Sequence, residues 1–190
     1  VLDDYALASR LSYFLWSSMP DTELSNLAEE GKLTNLDVLT KQVNRMLADP
    51  KGKRLSQNFL RLWLELDNMG KMPPSREFVS FYRDNLESAM RRETDLFFQH
   101  VLEKNLHPVE LLSADYSFIN RELGEHYGIS GLEGNEFRKV RMEGSERGGI
   151  LGHGSFLTAS ANGVDTSPVV RGIYVMNKLL DYTPPPPPDD

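Results

Sequence analysis

Apolar residues recur at helical spacing along the first two thirds of the chain. The first stripe follows two acidic residues that suit a helix N-terminus, and it consists of Leu7, Leu11, Phe14 and Leu15. A short helix capped by Asp21 and ended by Gly31 is predicted next. The third stripe is closed by Asp49-Pro50 and consists of Leu36, Leu39, Val43, Met46 and Leu47. The first 50 residues therefore predict a series of amphipathic helices.

Two further segments predict helices with large apolar faces. A fourth helix carries apolar side chains on most sides, which favours a central buried position, at Leu55, Phe59, Leu60, Leu62, Trp63, Leu64 and Leu66. The longest helix is predicted to run from Glu77 or Arg83 to Glu103. Its apolar stripe consists of Leu86, Met90, Phe97 and Val101. Glu93 lies in register with that stripe, so its carboxylate is expected on the buried side.

The middle of the chain continues the helical pattern. Pro108 opens a short turn through Leu112, and Asp115 is a suitable cap for a helix through Tyr127, stopped by Gly128. No sustained alternation of period two indicates a sheet. The predicted fold class is therefore all-α (mainly α): a multi-helix, bundle-like body with a small helical C-terminal extension and few or no strands.

A shift to glycine, glutamate and arginine between residues 128 and 149 suggests a domain boundary. We expect a helical domain over 1–128 and a smaller C-terminal domain over 129–190. The latter should contain a glycine-rich helix from about 149 to 161. A second helix should have Ser167 as N-cap and Pro168 at its first position. Its expected buried face consists of Val169, Ile173, Met176 and Leu180, and a polyproline linker over 184–188 follows.

Composition narrows the classes of partner. The 190 residues carry 21 basic and 28 acidic side chains, a net charge of −7, which disfavours nucleic acid and anionic membranes. The absence of cysteine excludes disulfides, cysteine-ligated zinc and covalent haem within this chain. No apolar run reaches the roughly 20 residues of a membrane span. Because the chain starts at Val1 and ends among prolines, we expect it to be a piece of a longer polypeptide.

Glycines and His153 suggest either close packing or a site. Gly148, Gly149, Gly152 and Gly154 match neither a dinucleotide fingerprint nor a phosphate loop, which favours close packing over a ligand surface. His153 is a candidate haem or metal ligand or proton carrier. A hydrogen-bonded histidine at a domain junction is the favoured alternative, and no second histidine at i+4 supports a metal pair.

Ser155, His153 and Asp165 could be nominated as a triad, but no Gly-x-Ser-x-Gly turn frames the serine. We therefore disfavour a hydrolase triad at these positions.

The segment leading into the last helix is a candidate anion or docking site. Ser155, Thr166 and Ser167 supply hydroxyls, and Arg171 lies one turn inside the helix. Self-capping by Thr166 or Ser167, with Arg171 bridging to an acidic neighbour, is the favoured alternative. For Glu93, a structural ion pair is favoured over a catalytic acid.

Several stretches resemble the planctomycete-type cytochrome-associated domains of unknown function. The stretches are ALASRLSYFLWSSMPDTELSNLAEEGKL, MLADPK, NFLRLWLEL, AMRRETDLFFQHVL, LLSADYSFINRELGEHYGI, RGGILGHGSFLTASA, TSPVVRG and LLDYTPPPPP. The resemblance implies an exported, extracytoplasmic bacterial protein in which neighbouring domains often carry covalent c-type haem. We expect no cofactor in this chain, and covalent haem is possible in a partner domain outside it.

Two functions follow as hypotheses. The leading one is a helical module that docks against a c-type cytochrome domain of the same polypeptide and serves docking or scaffolding. The rival is an enzyme domain, redox or hydrolytic, with a site around His153 and Arg171 and a contribution from Glu93. A peptide- or glycan-binding module would need exposed aromatic residues, and the candidates Tyr116, Tyr127, Tyr174 and Tyr182 are expected to be half-buried instead.

Overall fold

The computed structural model describes residues 2–69, 84–161 and 167–185. Its helices are α1 Asp4–Trp16, α2 Thr22–Glu29, α3 Leu36–Ala48, α4 Lys53–Trp63, α5 Asp84–Glu103, α6 Glu110–Ser113, α7 Arg121–Tyr127, α8 Gly154–Ala159 and α9 Pro168–Leu179. Single 3-10 turns lie at Pro50–Gly52, Leu66–Asn68 and Ile150–Gly152. The strands of the described residues are β1 Tyr116–Ile119 and β2 Arg138–Arg141. The mainly α prediction is confirmed.

Most helix starts lie where the capping pattern predicts them. The side chain of Asp3 accepts from the Ala6 amide, and that of Asp21 accepts from the Leu24 amide. Ser167 caps α9 by accepting from the Val170 amide at 3.3 Å, with Pro168 at the first helical position. Gly128 ends α7 in the left-handed region at φ 72°. Local sequence therefore determines these boundaries.

The chain divides into two compact units, Val1–Phe59 and Leu60–Asp190. The division at residue 128 expected from composition stays a prediction. In the first unit the indole of Trp16 is buried and donates to the carbonyl oxygen of Met46 at 2.8 Å. Arg45 forms a two-pronged ion pair with Asp21 at 2.6 and 3.1 Å. The hydrogen bond from Arg45 lowers the pKa of the Asp21 carboxyl.

Helix α5 supplies much of the core of the second unit, as its apolar stripe predicts. The buried residues of the main cluster are Leu60, Leu64, Leu66, Met69, Leu86, Ala89, Met90, Phe98, Ile119, Leu123, Ile150 and Phe156. A second cluster contains Phe97, Val101, Ala114 and Tyr116. Residues 70–83, which include both predicted starts of α5, lie outside the described residues.

The helix predicted from Asp115 to Tyr127 is wrong in its first half. Residues Tyr116–Ile119 form β1, which pairs antiparallel with β2 so that Tyr116 lies opposite Arg141 and Ile119 opposite Arg138. Aromatic and β-branched side chains favour the extended conformation once a partner strand is available. Asn120 then caps α7 by accepting from the Leu123 amide at 3.1 Å.

The outward face of α9 differs from the prediction. Val169 is 71% exposed and Leu180 is 66% exposed, and Ile173 is exposed as well. The opposite face packs on the core through Tyr174, Val175 and Leu179. Most of the row predicted to be buried therefore lies on the surface.

Four other residues of the predicted apolar stripes are also exposed. Phe14 of α1, Leu36 of α3, and Phe59 and Leu62 of α4 lie on outer helix surfaces, and Leu62 is 69% exposed. The prediction that α4 is buried on most sides is therefore wrong for Phe59 and Leu62. Periodicity identified these helices, but it overestimated the width of their buried faces.

Candidate functional site

A cluster of polar side chains is buried around α5 within the second unit. Glu93 and Thr94 come from α5, Ser117 from β1 and Tyr127 from the end of α7. The chain around α8 contributes His153 and Ser155, and we call these six residues the buried polar cluster. Glu93 is 1% exposed and His153 is 2% exposed. Because Glu93 follows Met90 by three residues and precedes Phe97 by four, it lies on the core side of α5.

Two hydroxyl groups hold the Glu93 carboxylate. Ser117 Oγ donates to Glu93 Oε1 at 2.6 Å, and Tyr127 Oη donates to Glu93 Oε2 at 2.6 Å. Hydrogen bonds to an ionised acceptor are short and strong, and they offset part of the cost of burying the charge. No lysine or arginine of the described residues lies within 4 Å of this carboxylate, so the predicted ion pair is not found within this part of the chain.

Tyr127 is both a donor and an acceptor in the cluster. Burial raises the pKa of its phenol, and the nearby charge of Glu93 raises that pKa further. The phenol therefore stays protonated and donates to Glu93. Its oxygen accepts from the backbone amide of Gly154 at 2.8 Å. Tyr127 thus connects the end of α7 to the start of α8.

His153 lies between two hydroxyl groups. Its Nδ1 is 3.0 Å from Thr94 Oγ1, and its Nε2 is 3.3 Å from Ser117 Oγ. The His153 imidazole and the Phe97 ring pack edge to face, with 4.9 Å between their centroids. Burial lowers the pKa of His153, which favours the neutral ring.

Each of these hydroxyl groups has one proton to donate, and this fixes the direction of the hydrogen bonds in the cluster. Ser117 gives its one proton to Glu93, so the bond to His153 requires Nε2–H as the donor. Nδ1 is then the acceptor, and Thr94 Oγ1 shares its one proton between Nδ1 at 3.0 Å and the Met90 carbonyl oxygen at 3.3 Å. Ser155 Oγ donates to Thr94 Oγ1 at 2.5 Å. Hydrogen bonds then run in one direction from Ser155 to Glu93.

An arrangement of this kind can hold a rigid junction or move a proton. All buried side-chain nitrogen and oxygen atoms of the described residues have hydrogen-bond partners. A fully paired polar network fixes the positions of the elements it joins. A neutral imidazole between two hydroxyls, with a carboxylate at the end, also has the groups that general acid–base chemistry uses.

A surface cleft and a narrow crevice lie beside the cluster. The cleft has a volume of about 560 Å³ and is lined by Tyr127, Gly128, Ile129, Glu143, Gly144, Ser145, Glu146, Arg147, Leu151, Gly152 and Leu157. The crevice is much smaller, with about 170 Å³ of empty space against about 1000 Å³ for the cleft, and it is too narrow to admit a water molecule. Its walls include Glu93, Ser117, His153 and Arg147. Arg147 and Gly152 line both spaces, and Tyr127 of the buried polar cluster also lines the cleft.

The glycines near residue 150 permit close approach of the backbone. A Cβ at Gly154 would lie 2.7 Å from Met90 Cγ and 2.8 Å from Tyr127 Oη. Gly149 has φ +53°, and a Cβ there would lie 2.5 Å from the Leu112 carbonyl oxygen. Two of the four glycines near residue 150 are therefore required by packing, the alternative favoured from the sequence.

Arg171 lies outside the buried polar cluster. Its Nε donates to Ser160 Oγ at 3.2 Å and its Nη2 donates to the Leu157 carbonyl oxygen at 3.3 Å. It therefore caps the C-terminal end of α8, where a cation is stabilised by the helix dipole. Ser167 is occupied in capping α9. Thr166 and Asp165 lie outside the described residues.

Of the predicted site residues, the structure brings together His153, Glu93 and Ser155, with Thr94 bridging His153 to Ser155. The roles of Thr94 and Ser117 and the position of Arg147 were not predicted from the sequence. Thr94 adjoins Glu93 on the same helix turn, which is a usable signal. No sequence signal marked Ser117, because its segment was predicted as helix instead of strand.

Within the described residues no group of three or more histidine, aspartate and glutamate side chains is placed to hold a metal ion. None of the helices in this part of the chain combines the length and apolarity needed to cross a membrane.

The fold and the site together define a mainly helical protein built around a buried carboxylate, hydroxyl and imidazole cluster. The chain belongs to the PSD4 family of proteins of unknown function (DUF1592), which matches residues 2–129. Residues 147–190 match PSCyt3, also described as a protein of unknown function (DUF1588). The resemblance to planctomycete-type cytochrome-associated domains is thereby confirmed. No curated protein and no solved structure matches the chain.

Proposed function

We propose that this chain is a docking module of a larger exported polypeptide, and that the outer face of α9 is the docking surface. The proposal depends on one observation. Val169, Ile173 and Leu180 form an apolar row along α9 at spacings of four and seven residues, and all three are exposed. Tyr182, which follows the end of the helix in the sequence, is also exposed. Contiguous exposed apolar surface of this kind marks interaction sites.

The partner in this proposal is a c-type cytochrome domain of the same polypeptide, in an extracytoplasmic setting. The family name PSCyt3 on the segment that contains α9 supports this choice. The haem would be carried by the partner, because this chain has no cysteine for covalent attachment. The prolines after Tyr182 would act as a stiff connector.

Hydrogen exchange in the complete polypeptide, the one with a Cys-x-x-Cys-His segment, tests this proposal. Amides of residues 168–180 are expected to exchange at least about tenfold more slowly there than in the isolated chain, since docking adds at least about 1.4 kcal/mol to their opening free energy. Val169→Asp should abolish the added protection.

Leu62→Asp is the matched control, because Leu62 is about as exposed as Val169 but lies on α4. It should leave the protection of α9 intact. Equal exchange of α9 in the isolated chain and the complete polypeptide would contradict docking.

A second candidate function, an enzyme domain with a redox or hydrolytic site around His153, is favoured by a separate observation. Ser117 Oγ lies between Glu93 Oε1 and His153 Nε2, at 2.6 and 3.3 Å, in the wall of the crevice. A hydroxyl in contact with a carboxylate and an imidazole has the partners that an activated nucleophile requires. Arg171, proposed with His153 from the sequence, would contribute only through the end of α8.

Hydrolysis of p-nitrophenyl acetate by the complete polypeptide tests the hydrolytic form of this candidate. His153→Gln, which can still bond to Thr94 and Ser117, should lower the rate at least about a hundredfold if the imidazole Nε2–H orients Ser117 for attack while Glu93 takes the serine proton. Arg171→Ala should change the rate little. A rate unchanged by His153→Gln would exclude this role.

A further inference from the structure

Arg147 is a half-buried cation without an acidic partner among the described residues. Two other partly buried arginines do have acidic partners: Arg45 pairs with Asp21 at 2.6 Å, and Arg91 pairs with Glu87 at 2.8 Å. The Arg147 guanidinium makes one hydrogen bond to the described residues, from Nη1 to the Gly152 carbonyl oxygen at 2.8 Å. Four of its five N–H donors are therefore left for another acceptor.

The guanidinium plane is held in place. The Arg147 Cζ lies 4.0 Å from the centroid of the Tyr127 ring, a cation–π contact. The ring is itself fixed by the bonds of Tyr127 Oη to Glu93 and to the Gly154 amide. A guanidinium fixed in this way loses less conformational entropy when it binds a planar carboxylate through two parallel hydrogen bonds.

The negative charge nearest in the core does not satisfy Arg147. Glu93 shares the crevice wall with Arg147, but its two oxygens are bonded to Ser117 and Tyr127. No oxygen of Glu93 lies within 4 Å of the guanidinium. A ligand in the cleft can therefore reach Arg147 without displacing an existing ion pair.

The lining of the cleft selects the chemistry of the ligand. Glu143 and Glu146 also line it, and their charges repel a dianion such as phosphate more strongly than a monoanion. Apolar walls are supplied by Ile129, Leu151 and Leu157. One guanidinium with apolar walls and acidic neighbours suits a single carboxylate attached to an apolar body.

We propose that the cleft lined by Arg147 binds a small monocarboxylate with an apolar body, and that Arg147 is its recognition residue. The carboxylate accepts two hydrogen bonds from the guanidinium, and the apolar body lies against Ile129, Leu151 and Leu157. This site is independent of the docking face on α9, because none of the α9 residues in that face lines the cleft.

Titration of the 190-residue chain with benzoate, followed by amide chemical shifts in NMR spectra, tests the proposal. Shifts are expected at Gly144, Ser145 and Gly152, which line the cleft. Benzyl alcohol, the neutral analogue, and inorganic phosphate should bind at least about tenfold more weakly, because the first lacks the charge and the second is repelled.

Variants of two arginines separate recognition from general charge. Arg147→Met should weaken benzoate binding at least about tenfold, and Arg147→Lys should restore only part of the affinity because lysine lacks the planar fork. Arg121→Met is the control, since Arg121 is exposed and pairs with Glu125 at 3.6 Å, and neither residue lines the cleft. It should leave benzoate binding within about twofold of wild type.

If Arg147→Met perturbs the fold, the comparison of benzoate with benzyl alcohol on the wild-type chain decides by itself. Equal binding of the acid and the alcohol would overturn the proposal. Benzoate shifts that lie outside the cleft, or that persist unchanged in Arg147→Met, would overturn it as well.

Discussion

At the scale of single residues, the distinctive feature is a buried carboxylate held by hydroxyl groups instead of a cation. Glu93 is bonded by Ser117 and Tyr127, while the arginine of the cleft stacks on the Tyr127 ring. A buried carboxylate that loses a donor keeps its desolvation cost without the compensating bond. The two hydroxyls are therefore expected to contribute more to stability than ordinary hydrogen bonds.

Ser117→Ala and Tyr127→Phe test that expectation. Each should lower the free energy of unfolding by about 1.5–3 kcal/mol, the range for hydrogen bonds to charged groups. Urea denaturation followed by circular dichroism measures the change. Combining either variant with Glu93→Gln should reduce its cost, because the remaining side chain is neutral and needs less stabilisation.

Tyr116→Phe is the control for the loss of a tyrosine hydroxyl. Its Oη bonds to Glu110 at a longer 3.3 Å in a partly exposed position, so the expected cost is below about 1 kcal/mol. Similar costs for Tyr116→Phe and Tyr127→Phe would show that the buried polar cluster has no special role in stability.

At the scale of secondary-structure elements, local signals in the sequence proved more reliable than the assignment of faces. Caps at Asp21 and Ser167 lie where they were predicted, because a capping side chain needs only its own helix end. Asp3, one of the two acidic residues predicted to lie at a helix N-terminus, caps α1. Strand β1 was missed, since its extended conformation depends on pairing with β2, which lies about twenty residues further along the chain. Periodicity could not show this contact.

The faces of α9 illustrate the same limit. Both sides of this helix carry apolar residues, so the apolar pattern alone cannot say which side meets the core. In the folded chain, Tyr174 places its side of α9 against the core by donating to the Leu64 carbonyl oxygen. Trp63 adds a hydrogen bond to the Lys178 carbonyl oxygen at 2.5 Å. Only tertiary partners distinguish the two faces.

The last two helices lead to opposite predictions for glycine. Gly154→Ala should lower the unfolding free energy by about 1–3 kcal/mol, because its Cβ would meet Met90 and Tyr127. Gly172 lies inside α9, where an added methyl group would have no neighbouring atom within 4 Å. Gly172→Ala should therefore raise stability by about 0.5–1 kcal/mol through helix propensity.

Thermal or urea unfolding of the two alanine variants measures this difference in sign. The contrast is informative because the chemical change is identical and only the surroundings differ. A neutral Gly154→Ala would contradict the packing described around the start of α8, and a destabilised Gly172→Ala would contradict the open space described at that position of α9.

At the scale of the whole molecule, the buried histidine makes folding depend on pH. Burial lowers the pKa of His153 below its ordinary value of 6.5. Below about pH 6.5 the unfolded chain therefore takes up a proton that the folded chain does not. The stabilising contribution of neutral His153 is complete above that pH and is lost as the pH falls, with a slope of up to about 1.4 kcal/mol per pH unit.

Other titratable groups also make stability depend on pH, and their contributions must be separated from that of His153. Burial lowers the pKa of His126 and of His100, so both act in the same direction as His153. Burial raises the pKa of Asp95, which has the opposite sign and acts at lower pH, near the carboxylate range. The difference between wild type and a His153 variant removes these shared contributions.

The final prediction is therefore a difference between two pH profiles. Urea denaturation of wild type and His153→Gln between pH 7.5 and 5.5 should give a smaller loss of stability on acidification in the variant, since glutamine does not titrate. The gap between the two profiles should narrow steadily below about pH 6.5. Parallel profiles for wild type and His153→Gln would show that His153 is protonated as readily in the folded chain as in the unfolded one.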